Sequence, residues 1–145
     1  MARFSLVIDA SVAVKWFSTL GESGVPQAVQ LLDSIEQNDS EVMVPDLFFY
    51  EVANALTHKK ILSLRELQTA VSDMFSLGMK VIPVDYILLS QSMDIARRYS
   101  ITVYDAFYAA IAAVNHCPLV TANPRHQKSE FGCRVIAVEQ WKNPD

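Results

Sequence analysis

Short runs of β-branched and apolar residues alternate along this chain with longer stretches whose apolar positions recur at helical spacing. Strands are expected at Phe4–Ile8, 42–44, 80–84, Leu119–Thr121 and 134–138, each apolar nearly throughout, as strands covered on both faces should be. Between them the pattern predicts five helices. Pro26 opens one whose apolar stripe holds Ala28, Val29, Leu31, Leu32 and Ile35. Pro45-Asp46 begins a second that runs to about Lys60, where the lysine pair suits the negative end of the helix dipole. Ser63-Leu64-Arg65-Glu66 reads as a capping box for a third, ending before Gly78. Asp85 can cap a fourth through Tyr99, and Asp105 an alanine-rich fifth through Val114. Strands alternating with helices over short connections predict an α/β fold with a mainly parallel sheet. Neither linker nor internal repeat interrupts the pattern, so a single domain over 1–145 is expected.

Composition changes this picture little. A hydrophobic fraction of 51% over 145 residues suffices for a core without disulfides or structural metals. The two cysteines, Cys117 and Cys133, match no zinc or redox spacing and read as reduced residues in or near the core of a cytoplasmic protein. The apolar run before Asp9 is too short for a secretory signal, and no stretch reaches membrane-spanning length, so no membrane partner is expected. The net charge of −4 matters more: it excludes a protein that grips nucleic acid by bulk basic charge. Any nucleic-acid chemistry must use local cations and metal ions bridging acids to phosphates.

Three acids set in apolar sequence are the candidates for chemistry. Asp9 directly follows the first strand, and in open parallel sheets ligands bind beyond the carboxyl ends of strands, near the point where strand order reverses. The alternative is that Asp9 caps the next helix. Glu51 interrupts an almost wholly apolar helical stretch, with Leu47, Asn54, Ala55 and His58 on roughly its side. A carboxylate there is costly unless paired, bound to a cation or placed where the helix emerges into water. Asp105 has capping as a local explanation, which leaves an oxygen able to face a metal. The segment Leu119-Val120-Thr121-Ala122-Asn123 ends a buried strand in polar residues, much as the first strand ends in Asp9. Carboxylates gathered in one place repel and take up protons unless cations neutralise them. Mg²⁺ or Mn²⁺ does so with oxygen ligands while keeping waters for phosphate chemistry.

The stretches Val7-Ile8-Asp9-Ala10-Ser11-Val12-Ala13-Val14-Lys15-Trp16, Val44-Pro45-Asp46-Leu47 with Glu51-Val52-Ala53-Asn54-Ala55-Leu56, Tyr104-Asp105-Ala106 and Leu119-Val120-Thr121-Ala122 strongly resemble PIN-domain proteins, and among them VapC-like toxins of toxin–antitoxin systems. The resemblance covers nearly the whole chain with the motifs in the family's order. It implies a Rossmann-like three-layer sandwich with a mainly parallel five-stranded sheet of order 3-2-1-4-5. It further implies an Mg²⁺- or Mn²⁺-dependent endoribonuclease, a homodimer and an antitoxin that blocks the groove, with RNA as substrate. By motif position Asp9, Glu51 and Asp105 correspond to the core acids and metal ligands, with Ser11 and Thr121 lining the same pocket. One departure stands out: where the family often has a fourth aspartate, this chain has Asn123, which keeps an amide oxygen but loses a charge. One metal is therefore expected to bind well and a second weakly.

His126, within the cationic stretch of residues 124–128, could hold an RNA phosphate or belong to a solvated loop. Lys15, Lys59, Lys60, Arg97 and Arg98 could contact phosphates, with surface placement the better expectation for each. Phe48, Phe49, Tyr50, Phe107 and Tyr108 fall at core or dimer-interface spacing. A response-regulator receiver is disfavoured by a single Asp after the first strand, and a dehalogenase-type phosphatase by Ser11 where a second aspartate is needed. The remaining rival is a catalytically weak or inactive module of the same fold that holds a metal or an antitoxin arginine.

Overall fold

A computed structural model describes residues 3–19, 21–123 and 132–145. Among these described residues, five strands and six helices follow one another in chain order: β1 (Phe4–Ile8), α1 (Ala10–Phe17), α2 (Val25–Glu36), β2 (Ser40–Pro45), α3 (Leu47–His58), α4 (Leu64–Phe75), β3 (Lys80–Ile82), α5 (Tyr86–Tyr99), α6 (Val103–Val114), β4 (Leu119–Thr121) and β5 (Val135–Ala137). Local chemistry sets several boundaries. The capping box holds as read: Ser63 Oγ accepts the Glu66 amide at 3.2 Å, and Glu66 accepts the Ser63 amide at 2.7 Å. Asp85 caps α5 through the Leu88 amide at 2.8 Å.

Three expectations are corrected. Helix α1 was not among the five predicted, although capping of a following helix by Asp9 was weighed; its eight residues fall short of the roughly 11-residue window over which a helical period is judged. Asp105 does not cap α6; Thr102 does, its hydroxyl accepting the Asp105 amide at 3.1 Å, so Asp105 lies in the first turn. The edge strands β3 and β5 are only partly covered and shorter than expected, since Val84 is exposed and Val138 passes into a 3-10 turn.

All pairings are parallel, in the order β3-β2-β1-β4-β5. The chain builds outward from β1 to β3, then returns to lay β4 on the other side of β1. Strand order therefore reverses between β1 and β4, which opens a crevice at their carboxyl ends. Helix α6 packs on β1, β2 and β4 with α5 against it, while α1, α2 and α3 pack together and onto β2 and β4. Ala106, Ala109, Ala110 and Ala112 are all fully buried, which lets α6 approach the sheet closely. One continuous core joins both helical layers to the central strands. Among the described residues no helix is long and apolar enough to cross a membrane. Cys117 is buried and Cys133 half-buried, both free thiols as expected.

Candidate active site

Asp9 leaves the carboxyl end of β1, and its amide donates to the Val120 carbonyl at 3.0 Å, stitching it to β4 at the switch point. Although Asp9 occupies the N-cap position of α1, its carboxylate makes no capping hydrogen bond. It instead accepts the Thr121 hydroxyl at 2.9 Å, and only 7% of the residue is exposed. The Thr121 oxygen in turn accepts the Asn123 amide at 3.0 Å, and Ser11 Oγ accepts the Ala122 amide at 3.0 Å. Two strand ends far apart in sequence are thus tied by side chains that also shape the crevice.

Glu51 projects from the middle of α3 and is half-buried, neither sealed in the core nor fully at a rim. The Tyr108 hydroxyl, on the wholly buried side of α6, donates to Glu51 Oε1 at 2.6 Å. Such a short contact to a carboxylate is a strong, orienting hydrogen bond. Asp105, in the first turn of α6, sits at the positive end of that helix dipole. Asp9, Ser11, Glu51, Asp105 and Asn123 all line one open cavity of about 450 Å³. The candidates read from sequence converge; Thr121 supports them from beneath.

Electrostatics record that convergence. Burial pushes the Asp9 carboxyl above its ordinary range, the Thr121 hydrogen bond opposes this, and the charge of Asp105 adds to it. Burial likewise raises Glu51, with Tyr108 opposing and the charges of Asp9 and Asp105 adding. Burial and the neighbouring Glu51 charge keep the Tyr108 phenol protonated far above neutral pH. A carboxylate cluster that resists ionisation is one that a cation would relieve. The donors are all hard oxygens, which fits Mg²⁺ or Mn²⁺ rather than a thiolate- or imidazole-seeking metal. Among the described residues, no group of three or more acids, histidines or cysteines is close enough to hold a metal ion.

Sequence reading missed part of the cavity wall. Lys15, expected at the surface, is only 4% exposed. Its ammonium donates to Glu22 Oε2 at 2.8 Å, while Lys59 donates to Glu22 Oε1 at 2.8 Å, and all three residues line the acidic cavity. Lys15 follows Ser11 by four residues, one helical turn, which was the available signal; Glu22 lies in a loop without periodicity and offered none. Tyr108 was expected in a core or interface, and it is buried, but it also serves Glu51. Phe48, Phe49 and Phe107 are buried as expected, whereas Tyr50 is 69% exposed. Arg97 and Arg98 are exposed away from the cavity, Arg98 pairing with Asp94 at 2.8 Å. His126 and the cationic stretch 124–128 lie outside the described residues.

Fold and cavity together define a class: a doubly wound α/β protein with an acidic crevice at its switch point. Residues 6–131 match the family described as PIN domain, and the chain belongs to it. Compared with curated proteins, the sequence matches none. Solved structures similar to it include PAE2754 from Pyrobaculum aerophilum, 23% identical, with a TM-score of 0.64 over 94% of this chain and 90% of that one. VapC20 of Mycobacterium tuberculosis, described as a sarcin-ricin loop cleaving toxin, is 17% identical, with a TM-score of 0.64 over 87% of this chain and 92% of that one. A DNA-bound VapBC complex from Salmonella typhimurium contains a chain 16% identical, with a TM-score of 0.66 over 93% of this chain and 98% of that one. At these identities the likeness is one of fold.

Proposed function

We propose that this protein is an Mg²⁺- or Mn²⁺-dependent endoribonuclease and the toxin of a toxin–antitoxin pair, restrained by an antitoxin chain. The observation that carries this reading is the opening of Asp9, Glu51, Asp105 and Asn123 into one cavity at the β1/β4 switch point. Membership in the PIN family and the likeness in fold to chains described as toxins and toxin–antitoxin complexes support it. In this reading Asp9, Glu51 and Asp105 hold the cation, and Asn123 contributes an amide oxygen. A divalent ion held there would supply Lewis acidity and would lower the pKa of a bound water, making hydroxide available as the nucleophile. Thr121 fixes the Asp9 carboxylate, Tyr108 fixes that of Glu51, and Ser11 holds the β4 end against α1. No serine, cysteine or histidine nucleophile is needed. A homodimer in the cytoplasm belongs to the same proposal.

Asn123 favours one second reading, a catalytically weak module that binds a metal or an antitoxin arginine in the same cavity. Incubation of the purified protein with bulk RNA separates the two. Cleavage with Mg²⁺ that disappears with EDTA and in Asp9→Asn supports the nuclease; absence of cleavage in all three, or cleavage that survives in all three, rejects it.

A further inference from the structure

Beside the acids, the same cavity carries a cationic wall that the proposed chemistry does not use. Glu51 and Ala55 on α3 and Lys59 at its C-cap succeed one another at four-residue spacing, as Ser11 and Lys15 do along α1, and all line one cavity. A trough therefore runs between the two helices from carboxylates at one end to ammonium groups at the other. Lys59, the C-cap of α3, follows Glu51 by eight residues, a separation of about 12 Å at the helical rise. Lys59 is thus placed for a neighbouring phosphate rather than the one held at the acids.

How the lysines are held distinguishes them from ordinary surface cations. Glu22 gives one oxygen to each, Lys15 at 2.8 Å and Lys59 at 2.8 Å. The side chain of Lys15 is 5% exposed and that of Lys59 is 32%. The first is locked and the second can reach solvent. The Glu22 loop is itself anchored: Ser23 donates to Glu139 at 2.9 Å, and Gly24, at φ +70°, packs so closely on Val138 that a Cβ there would meet it at 3.0 Å. Summed formal charges along this wall leave one excess positive charge next to the acids, in a protein whose net charge is −4. Among the described residues lining the cavity, Lys15 and Lys59 are the only cationic side chains.

We propose that Lys59, held ready by Glu22 and the buried Lys15, binds a backbone phosphate of single-stranded RNA flanking the one engaged at the acids. The phosphate takes over the Lys59 ammonium from Glu22, while Lys15 keeps Glu22 from following. This inference rests on the ribonuclease reading above. The test is binding of a mixed-sequence single-stranded RNA oligonucleotide to the full chain carrying Asp9→Asn, with Mg²⁺, over a series of salt concentrations. Adding Lys59→Ala weakens binding roughly tenfold at low salt, and the dependence of log Kd on log salt becomes shallower by about 0.7, the signature of one phosphate contact. Lys59→Arg restores both. Unchanged affinity and slope in Lys59→Ala, or a loss that Lys59→Arg fails to restore, overturns the phosphate role and leaves the nuclease reading standing. If neither this parent nor the unsubstituted chain with Ca²⁺ in place of Mg²⁺ binds RNA, both readings are overturned.

Discussion

Replacing Tyr108 with Phe isolates one interaction in this protein. The ring stays in its fully buried place, and only the 2.6 Å hydrogen bond to Glu51 is lost. A hydrogen bond to a charged partner contributes about 1.5–3 kcal/mol, and one between neutral groups about half that. Tyr108→Phe should therefore cost about 1.5–3 kcal/mol when Glu51 is ionised, lowering Tm by about 3–10 °C for a chain of this size. The sign of its pH dependence follows from linkage. The Tyr108 bond favours the charged form of Glu51, whose folded-state pKa already stands above its ordinary value because of burial. Without that bond the folded-state pKa rises further, so the folded variant binds more protons than the folded parent while their unfolded chains behave alike. The stability deficit should accordingly widen as pH rises through the titration of Glu51 and narrow in acid. Urea unfolding of parent and variant at about pH 8 and about pH 4.5 measures both midpoints. A deficit of the same size at both values, or none at the higher one, would refute the assignment of Tyr108 as the group that orients an ionised Glu51.

Other consequences follow from the same contacts. Thr121→Val keeps the side-chain shape but removes both the donor to Asp9 and the acceptor for the Asn123 amide; denaturant unfolding should show a loss of about 1–3 kcal/mol, and an unchanged midpoint would contradict the tie between β1 and β4. Asp9 and Glu51 both have folded-state pKa values raised above the unfolded ones, so without metal, stability should fall as pH climbs from the ordinary carboxylate range through those values. Added Mg²⁺ should raise Tm on the alkaline side of that range, by preferential binding to the folded state, and less so in Asp105→Asn; calorimetric scans with equal gains in both proteins would exclude shared coordination. Asn123→Asp should tighten binding of a second metal in isothermal titration, whereas unchanged stoichiometry and affinity would place Asn123 outside the coordination sphere.

Much of this molecule was legible along the chain because its signals are local. A capping box, a proline at the start of a helix and alternation of short apolar runs with helical periods each act within a few residues, so they mark Ser63, Pro26 and the strand cores directly. The acids were legible for a related reason. A charge set in apolar sequence, as Asp9 and Glu51 are, has to be solvated by something, and that demand is visible before any partner is. The partners themselves were decided in three dimensions. Lys15 and Lys59 meet at Glu22 only because α1 and α3 lie side by side, and Lys59 and Glu22 are 37 residues apart. Tyr108, to any periodicity, is one more core aromatic; its hydroxyl acquires a role only when the fold brings it to the Glu51 carboxylate, 57 residues away in sequence. Asp105 passed for a cap until Thr102 was found making that bond. Hydrophobic pattern dictates which face of each element is buried, but which polar atoms then meet depends on how the faces are stacked. That is a property of packing, and no sequence period encodes it.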